Sequence, residues 1–355
     1  MPAARLIGRD HHAALLREEL RRTTASHGGL VLVTGEAGIG KTALLSEVVG
    51  GLDARDALVL TATAWSGDGT PGFWPWVQVL RGLRRAATPE QWAAVDAAAG
   101  NALSFLIGDA ELPKAPQGAL FRIADAVTEA LVTACALRPV IVVIDDLHRA
   151  DPESLTVLAF VARHSWFERL TIVAAARDND IDVAGHPLRA VFGELTTAAR
   201  LIELTGLPVE HVAEFVHETT GTRAPDEIAR TVHTLSGGNP FLVEQAARLW
   251  QAGSALDTLT PGVRETLDAR LIPLPAAALD VLTTAALVGR EFAAQVVAAG
   301  SGRGRGAGGG CGISRGSWVA RTRGVRVPSA QPACHWGAAC STRNGLPPER
   351  VCTVR

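Results

Sequence analysis

Eight consecutive residues, GEAGIGKT, have the composition and spacing of a loop that binds phosphate. They match the pattern G-x-x-x-x-G-K-[ST] and lie between a buried apolar run, residues 30–34, and a helix-forming run, TALLSEVV. Three glycines allow successive backbone N–H groups to point into one concavity, and the following helix adds the positive end of its dipole. We expect a triphosphate to contact the whole loop: Gly35, Glu36, Ala37, Gly38, Ile39, Gly40, Lys41 and Thr42.

Two side chains of this loop have expected roles of their own. Lys41 should reach the β and γ phosphates as a point charge, and the hydroxyl of Thr42 should ligate Mg²⁺. The alternative is a glycine-rich turn with a chance lysine. The full spacing and the strand and helix on either side favour the phosphate loop.

Two adjacent carboxylates, Asp145 and Asp146, follow the apolar run at residues 140–144. Like charges repel, and their desolvation is costly, so the pair needs a reason. A strand of a parallel sheet would carry them to its carboxyl end, where ligands of open α/β sheets bind. There Asp145 can hold Mg²⁺, directly or through water, while Asp146 orients or deprotonates an attacking water. The alternative is a helix cap or a solvated loop acid.

Other candidate residues carry weaker patterns. Arg177 ends the run LTIVAAAR at the same expected edge, where it could contact a γ-phosphate or form a surface ion pair. The segments GRD at residues 8–10 and GGNP at residues 237–240 are each explained by turns and helix caps. The histidines at positions 11, 12 and 148 lack the spacing of metal ligands, so we expect them to be solvated or hydrogen-bonded.

The elements that must position these residues alternate between strand and helix up to about residue 203. Apolar runs at residues 30–34, 57–63, 140–144 and 170–176 predict strands, and helical periodicity lies between them. This alternation predicts a right-handed, mostly parallel α/β sheet. From about residue 205 only helices are predicted: residues 209–219, 225–235, 241–251 and 275–288.

Composition is that of a globular protein that works outside a membrane. The chain has 355 residues, of which 47% are hydrophobic and 20% charged. No apolar run approaches the roughly 20 residues that span a bilayer, and the N-terminus resembles no export signal, so we expect a cytoplasmic location. The cysteines have neither zinc-site nor CxxC spacing.

The last part of the chain, residues 300–355, differs from the rest. It has nine arginines and one acid, a formal charge of about +8, which leaves about −10 for residues 1–299. Its first residues, GSGRGRGAGGGCG, are of low complexity. Two interpretations remain open: a disordered basic tail, or a reading-frame change that replaced the original continuation.

Several segments in fixed order resemble one family, the signal transduction ATPases with numerous domains. The resemblance is narrower to the AAA-type ATPase module at the N-terminus of large bacterial LuxR-type transcriptional regulators, and it covers residues 5 to about 299. The segments PGVRETLDARL and ALVGREF resemble the start of that family's winged-helix region. The matching motifs are LIGRD, GEAGIGKT, FWPWVQVLR, VVIDDLHRADPESL, AAARD and SGGNPFLVEQ.

The resemblance implies a P-loop ATPase fold in four parts. These are an ATPase domain at residues 1–203, a helical lid at 204–255, a partial winged-helix region at 256–299 and the basic tail at 300–355. It also implies roles for single residues. Gly8 and Arg9 would lie by the adenine, Arg177 would be the first sensor, and Pro240 would touch the nucleotide from the lid. Lys41, Asp146 and Arg177 are then the expected catalytic residues.

The function implied is a Mg-ATP-binding switch between ATP and ADP states, with slow hydrolysis. Two departures bear on the hydrolysis rate: Arg149 stands where the family usually has tryptophan, and Ala175 and Ala176 precede Arg177 where a hydroxyl or tyrosine is common. The expected partners are ATP or ADP, another copy of the chain on ATP binding, and an unidentified protein or small-molecule inducer. We expect no membrane contact and no direct DNA binding.

Two alternatives remain for the function. The first is an active ATPase that remodels a protein or nucleic acid, although residues 1–299 are acidic overall and offer no basic groove. The second is a non-functional truncated product, suggested by the change of composition after Gly300.

Overall fold

A computed structural model describes most of the first 254 residues and a few short segments beyond them. The described residues are 6–24, 28–53, 55–67, 69–100, 102–108, 118–164, 168–177, 189–254, 271, 274, 276–288, 291–293, 297 and 351–353. They divide into two compact units, one ending at Thr205 and one beginning at Gly206.

The first unit contains a five-stranded sheet. All four strand pairings are parallel, and the strand order across the sheet is β2-β3-β4-β1-β5. The prediction of a parallel α/β sheet is confirmed. The strands are β1 Gly29–Gly35, β2 Leu58–Thr63, β3 Val140–Asp145, β4 Leu170–Ala176 and β5 Arg200–Leu204.

Helices cover both faces of this sheet, because the central strands are apolar on both sides. In β1, Leu30 and Leu32 pack into one core, while Val31 and Val33 pack into the other. Helices α1 and α2 belong to the second core, and the remaining helices of the unit belong to the first. These helices are α1 Asp10–Thr24, α2 Lys41–Gly50, α3 Trp74–Ala86, α4 Pro89–Ala99, α5 Ala102–Ile107, α6 Ala119–Leu137, α7 Pro152–His164 and α8 Arg189–Ala198.

Three helices form the described core of the second unit. They are α9 Val209–Thr220, α10 Asp226–Ser236 and α11 Pro240–Gln251. Val212, Val216, Val232 and Val243 are each fully buried in one cluster. This arrangement agrees with the helical pattern expected after residue 205.

The segments beyond residue 254 are described only in part. Helix α12 spans Ala276–Val288, and strand β6, Glu291–Ala293, pairs antiparallel with β7, Val351–Thr353. No strand was expected in the tail, because three residues are too few to produce a periodic pattern. Most of the predicted winged-helix region and tail lies outside the described residues. Within the described part of the chain, no helix is both long and apolar enough to cross a bilayer.

Candidate nucleotide-binding site

The loop between β1 and α2 has the backbone conformation that its glycines permit. The φ angles of Gly35, Gly38 and Gly40 are 142°, 74° and 100°, values that other residues adopt only at a cost. At Gly35 an added Cβ would lie 2.6 Å from the carbonyl oxygen of Leu204. Gly40 is the N-cap residue of α2 and has no side chain that could accept hydrogen bonds from the first N–H groups of this helix. The loop therefore fits a bound anion.

Lys41 is held against this loop by hydrogen bonds. Its ammonium Nζ donates to the carbonyl oxygen of Gly35 at 2.7 Å and to that of Glu36 at 2.9 Å, and the residue is only 7% exposed. The positive charge consequently lies directly over the turn that the glycines create. This is the position from which it can meet phosphate oxygens.

The predicted metal ligands are in direct contact. The hydroxyl of Thr42 donates to Oδ2 of Asp145 at 2.7 Å, across 103 positions of sequence. The other oxygen, Oδ1, accepts the backbone N–H of Asp146 at 2.8 Å. Asp145 is thus oriented through both carboxylate oxygens, and an oxygen pair from Thr42 and Asp145 stands beside the phosphate loop.

Asp146 has an unusual backbone conformation for a residue with a side chain. Its φ and ψ angles are 52° and 36°, in the left-handed region that aspartate tolerates better than most residues. The short 3₁₀ turn Leu147–Arg149 follows it, and the N–H of Arg149 donates to the carbonyl of Asp146. The turn keeps Asp146 at the carboxyl end of β3, beside Asp145.

Strand order places Arg177 at the same edge of the sheet. Strand β4 lies between β1 and β3, and Arg177 is the residue that follows it. In a parallel sheet all carboxyl ends share one edge, so Arg177 comes from the strand between the phosphate loop and Asp145. The structure therefore brings Lys41, Thr42, Asp145, Asp146 and Arg177 to one edge.

His148 also lies at this edge, although the sequence pattern predicted no role for it at the site. It is 8% exposed, and burial together with the positive charges of Arg177, Arg149 and Lys41 lowers its pKa to about 3. The imidazole is therefore neutral at pH 7. Sequence reasoning left open whether it was solvated or hydrogen-bonded, and the structure excludes a solvated side chain. Its position two residues after Asp146, the second carboxylate of the pair, was the available clue.

Arg9, which directly precedes α1, contacts the phosphate loop. Its Nη2 donates to the carbonyl oxygen of Ile39 at 3.0 Å, and the side chain is 4% exposed. Burial lowers the pKa of this guanidinium from its ordinary value. Gly8 precedes it with a φ of 64°. The predicted adenine contacts of Gly8 and Arg9 stay predictions, and the observed contact of Arg9 supports the loop itself.

Pro240 belongs to the second unit, where it is the first residue of α11. Asn239 caps that helix by accepting the N–H of Phe241 at 3.1 Å. Gly238 has a φ of 72°, and a Cβ there would lie 2.1 Å from the carbonyl oxygen of Leu207. The GGNP segment thus has a structural role in its own unit. The nucleotide contact of Pro240 stays a prediction.

The donor set suits a metal that is shared with phosphate and water. Among the described residues, no three histidine, cysteine or acidic side chains gather as a protein-only metal site. Mg²⁺ commonly takes one or two protein oxygens and completes its shell with water and substrate phosphates. Thr42 and Asp145 fit that pattern.

Comparison with known proteins agrees with this geometry. Residues 5–173 match the family model described as "AAA ATPase domain". A search of curated proteins finds no match. Among solved structures, the Aeropyrum pernix ORC2 protein, in ADPNP and ADP complexes, is similar with a TM-score of 0.52 at 17% identity, covering 84% of this chain and 80% of that one.

Two other solved structures are similar at lower scores. One is a signal transduction ATPase with numerous domains, carrying a tetratricopeptide repeat sensor, from Pyrococcus horikoshii, at a TM-score of 0.45 and 16% identity. It covers 82% of this chain, which spans only 36% of that protein. The other is a Walker-type ATPase of Pyrococcus abyssi, at 0.43 and 15% identity, covering 80% of this chain and 76% of that one. Residues 5–173, which match that family model, have the parallel sheet and the phosphate loop of a P-loop ATPase fold.

Proposed function

We propose that this chain is a Mg-ATP-binding module of a signal-transduction protein, and that it works as an ATP/ADP conformational switch with slow hydrolysis. The observation that carries the proposal is the 2.7 Å contact between Thr42 and Asp145, next to a loop with three glycines at positive φ. A loop that binds phosphate and a carboxylate that binds the metal must adjoin for Mg-ATP to bind, and the contact between Thr42 and Asp145 supports this assignment.

The phosphate loop binds the triphosphate in three ways. Backbone N–H groups of residues 35–42 donate to phosphate oxygens, and the N-terminus of α2 adds its dipole. Lys41 exchanges the carbonyls of Gly35 and Glu36 for the more negative phosphate oxygens. Arg9 keeps the loop in place from behind through the carbonyl of Ile39.

The two aspartates divide the remaining work. Asp145 and Thr42 would hold Mg²⁺, which would supply positive charge against the phosphates. Asp146 orients a water molecule or accepts its proton, and Arg177 stabilises the γ-phosphate from the neighbouring strand. Slow hydrolysis follows if no second copy supplies an arginine, because such a residue contributes about 10³ to 10⁵ in rate.

The switch requires a different affinity of each nucleotide for two conformations. A ligand shifts a conformational equilibrium only by its differential affinity for the two states. A lid that contacts the nucleotide through Pro240, and an Arg177 that contacts only the γ-phosphate, provide that difference. The A. pernix ORC2 protein is known in ADPNP and ADP complexes, which supports a nucleotide-dependent cycle on this fold.

The wider setting of the module is also part of the proposal. We infer that it comes from a family like the LuxR-type regulators, that a protein or small-molecule inducer acts on it, and that copies associate when ATP binds. The resemblance of the motifs supports this setting. DNA binding is not part of the proposed activity of residues 1–299, whose formal charge is about −10.

Calorimetric titration with ATP in Mg²⁺, followed by phosphate release from the same samples, tests the proposal. The variants are Lys41→Ala and Asp145→Asn, and the matched control is Asp53→Asn, an exposed carboxylate paired with Arg55. We expect wild-type protein and the control to bind alike, and both site variants to bind at least about tenfold more weakly. Wild-type protein that binds no better than Lys41→Ala would falsify the switch model.

The same samples separate the alternatives. Binding with little phosphate release supports the switch. Rapid release, or release stimulated by added protein or nucleic acid, supports an active remodelling ATPase instead. A sample that shows no cooperative unfolding in urea supports a non-functional product.

A further inference from the structure

The side chain of Gln78 closes the outer edge of the sheet beside Asp145. Strand β2 is an edge strand, and Thr63 is its last residue. The N–H of Thr63 donates to Oε1 of Gln78 at 3.3 Å, and Nε2 of Gln78 donates to the carbonyl oxygen of Thr63 at 2.8 Å. A neighbouring strand would make the same pair of bonds. The amide of Gln78, from helix α3, takes the place of that strand.

The inner side of the same strand end is bonded to Asp145. Thr63 is in register with Asp145, and the N–H of the next residue, Ala64, donates to the carbonyl oxygen of Asp145 at 2.9 Å. Successive N–H groups of a strand point to opposite sides. The outward bonds of Thr63 to Gln78 and the inward bond of Ala64 to Asp145 therefore act on consecutive residues. The position of the Asp145 backbone depends on a strand end that Gln78 holds.

Helix α3, which packs against β2, has a second anchor at α7. The indole Nε1 of Trp76, a fully buried residue, donates to the carbonyl oxygen of Ser154 at 3.0 Å. Ser154 lies in the first turn of α7, where its N–H and hydroxyl both bond to Asp151. Gln78 is thus carried by a helix that is tied to the segment following Asp145. The amide of Gln78 therefore links helix α3 to the end of β2, and each of these elements is hydrogen-bonded to Asp145 or to the segment that follows it.

We propose that Gln78 is a positioning residue for Asp145, and that its amide tunes the Mg²⁺ affinity of the nucleotide complex. This inference rests on the proposed function, because it needs Asp145 to ligate the metal. Mg²⁺ requires near-octahedral geometry with short bonds, so a small displacement of one carboxylate lowers the affinity for Mg²⁺. Gln78 hydrogen-bonds to Thr63 and to the carbonyl of Trp74, and two strands separate β2 from β1, so we expect binding of metal-free ATP to change little.

The test compares Gln78→Met with Gln91→Met. Methionine keeps the length and volume of glutamine and removes the amide in both variants. Gln91 is a matched control because its Oε1 also accepts a backbone N–H, that of Thr88 at 2.9 Å, but this bond caps α4. Calorimetry measures ATP affinity in EDTA and then over a series of Mg²⁺ concentrations, and urea unfolding checks that each variant is folded.

We expect Gln78→Met to need about three to ten times more Mg²⁺ for half-maximal binding, with unchanged affinity in EDTA. Gln91→Met should match wild-type protein in both conditions. An unchanged Mg²⁺ midpoint in Gln78→Met overturns the inference, as does an equal loss of affinity in EDTA, which indicates general loosening. If Gln78→Met does not fold, Gln78→Glu, which keeps only the acceptor for Thr63, must show the same shift.

Failure of the two proposals can be told apart. Wild-type protein whose ATP affinity does not respond to Mg²⁺ refutes the proposed function and this inference with it. Wild-type protein that responds, beside a Gln78→Met variant that responds identically, refutes only the role of Gln78.

Discussion

Two glycines of the phosphate loop, Gly35 and Gly40, should respond differently to alanine. Both have positive φ, 142° and 100°, so alanine is strained at either position. Space around them differs. A Cβ on Gly35 would lie 2.6 Å from the carbonyl oxygen of Leu204 and 3.1 Å from Cγ2 of Ile39, whereas a Cβ on Gly40 would meet no atom within 4 Å.

The expected cost follows from these two contributions. Backbone strain alone costs about 1 to 3 kcal/mol, and this is the whole expectation for Gly40→Ala. At Gly35 the clashing oxygen belongs to the backbone of β5, the strand paired with β1, so the two strands must separate. Overpacking adds about 1 to 3 kcal/mol, which gives about 2 to 6 kcal/mol for Gly35→Ala. Against a total stability of about 5 to 15 kcal/mol, that is a severe loss.

Urea unfolding monitored by circular dichroism measures both variants, and ATP titration follows on those that fold. Gly35→Ala should have the lower midpoint, while Gly40→Ala should remain folded yet bind ATP more weakly, because its strained turn displaces the N–H groups that contact phosphate. Equal midpoints for the two variants would refute the close approach of Leu204 to the loop.

Three further outcomes are expected. Arg9→Met should lose about 1 to 3 kcal/mol of stability and some ATP affinity, because the carbonyl of Ile39 loses its donor; an exposed control, Arg17→Met, should change neither, and equal effects would contradict the support role of Arg9. The pKa of His148 is about 3 in the folded state and near 6.5 in the unfolded state. Between these values the unfolded state binds the proton more readily, so the free energy of unfolding is highest above pH 6.5 and decreases as the pH falls toward 3. The urea midpoint should therefore decrease more from pH 7 to pH 5 in wild-type protein than in His148→Asn. An equal decrease in the two proteins would contradict this. Gly238→Ala should unfold the second unit at lower urea than Gly253→Ala, since only the former meets backbone within 3 Å.

Much of the first unit could be predicted from the chain, because its central strands are continuous apolar runs. Residues 140–144 and 170–176 have this composition, and the structure begins and ends those strands within one residue of the predicted bounds. The helix Pro152–His164 likewise has a start signal in the sequence, an aspartate followed by proline. Strong local patterns sufficed where both faces of a strand or one face of a helix are buried.

The missed elements lacked such patterns or carried patterns that were overlooked. Strand β5 exposes Arg200, Leu201 and Glu203, so its sequence, RLIEL, has only two buried positions and no apolar run. Helix α4 does begin with a capping box between Thr88 and Gln91, which sequence reasoning passed over. Strand order was beyond reach, since chain order does not reveal that β4 separates β1 from β3.

At the site, sequence could suggest residue types but not their contacts. The hydroxyl of Thr42 and the carboxylate of Asp145 are in contact because the carboxyl ends of β1 and β3 lie at the same edge of the parallel sheet. The lowered pKa of His148 likewise depends first on its burial and then on the charges of Arg177, Arg149 and Lys41, which only the fold brings near it. The sequence did not indicate that the amide of Gln78 bonds to Thr63, because an isolated glutamine on a helix is usually solvated.

The hydrogen bonds of Lys41 have a consequence for how the loop behaves between rounds of occupancy. Its ammonium group already donates hydrogen bonds to two main-chain carbonyl oxygens. An anion that binds here must replace these acceptors, so the gain in free energy is only the difference in strength between the new and the old hydrogen bonds. A lone small anion offers little over those oxygens, whereas a longer polyanion gains contacts along the whole turn. The same two hydrogen bonds would let Lys41 stabilise the shape of the turn whenever no anion is bound.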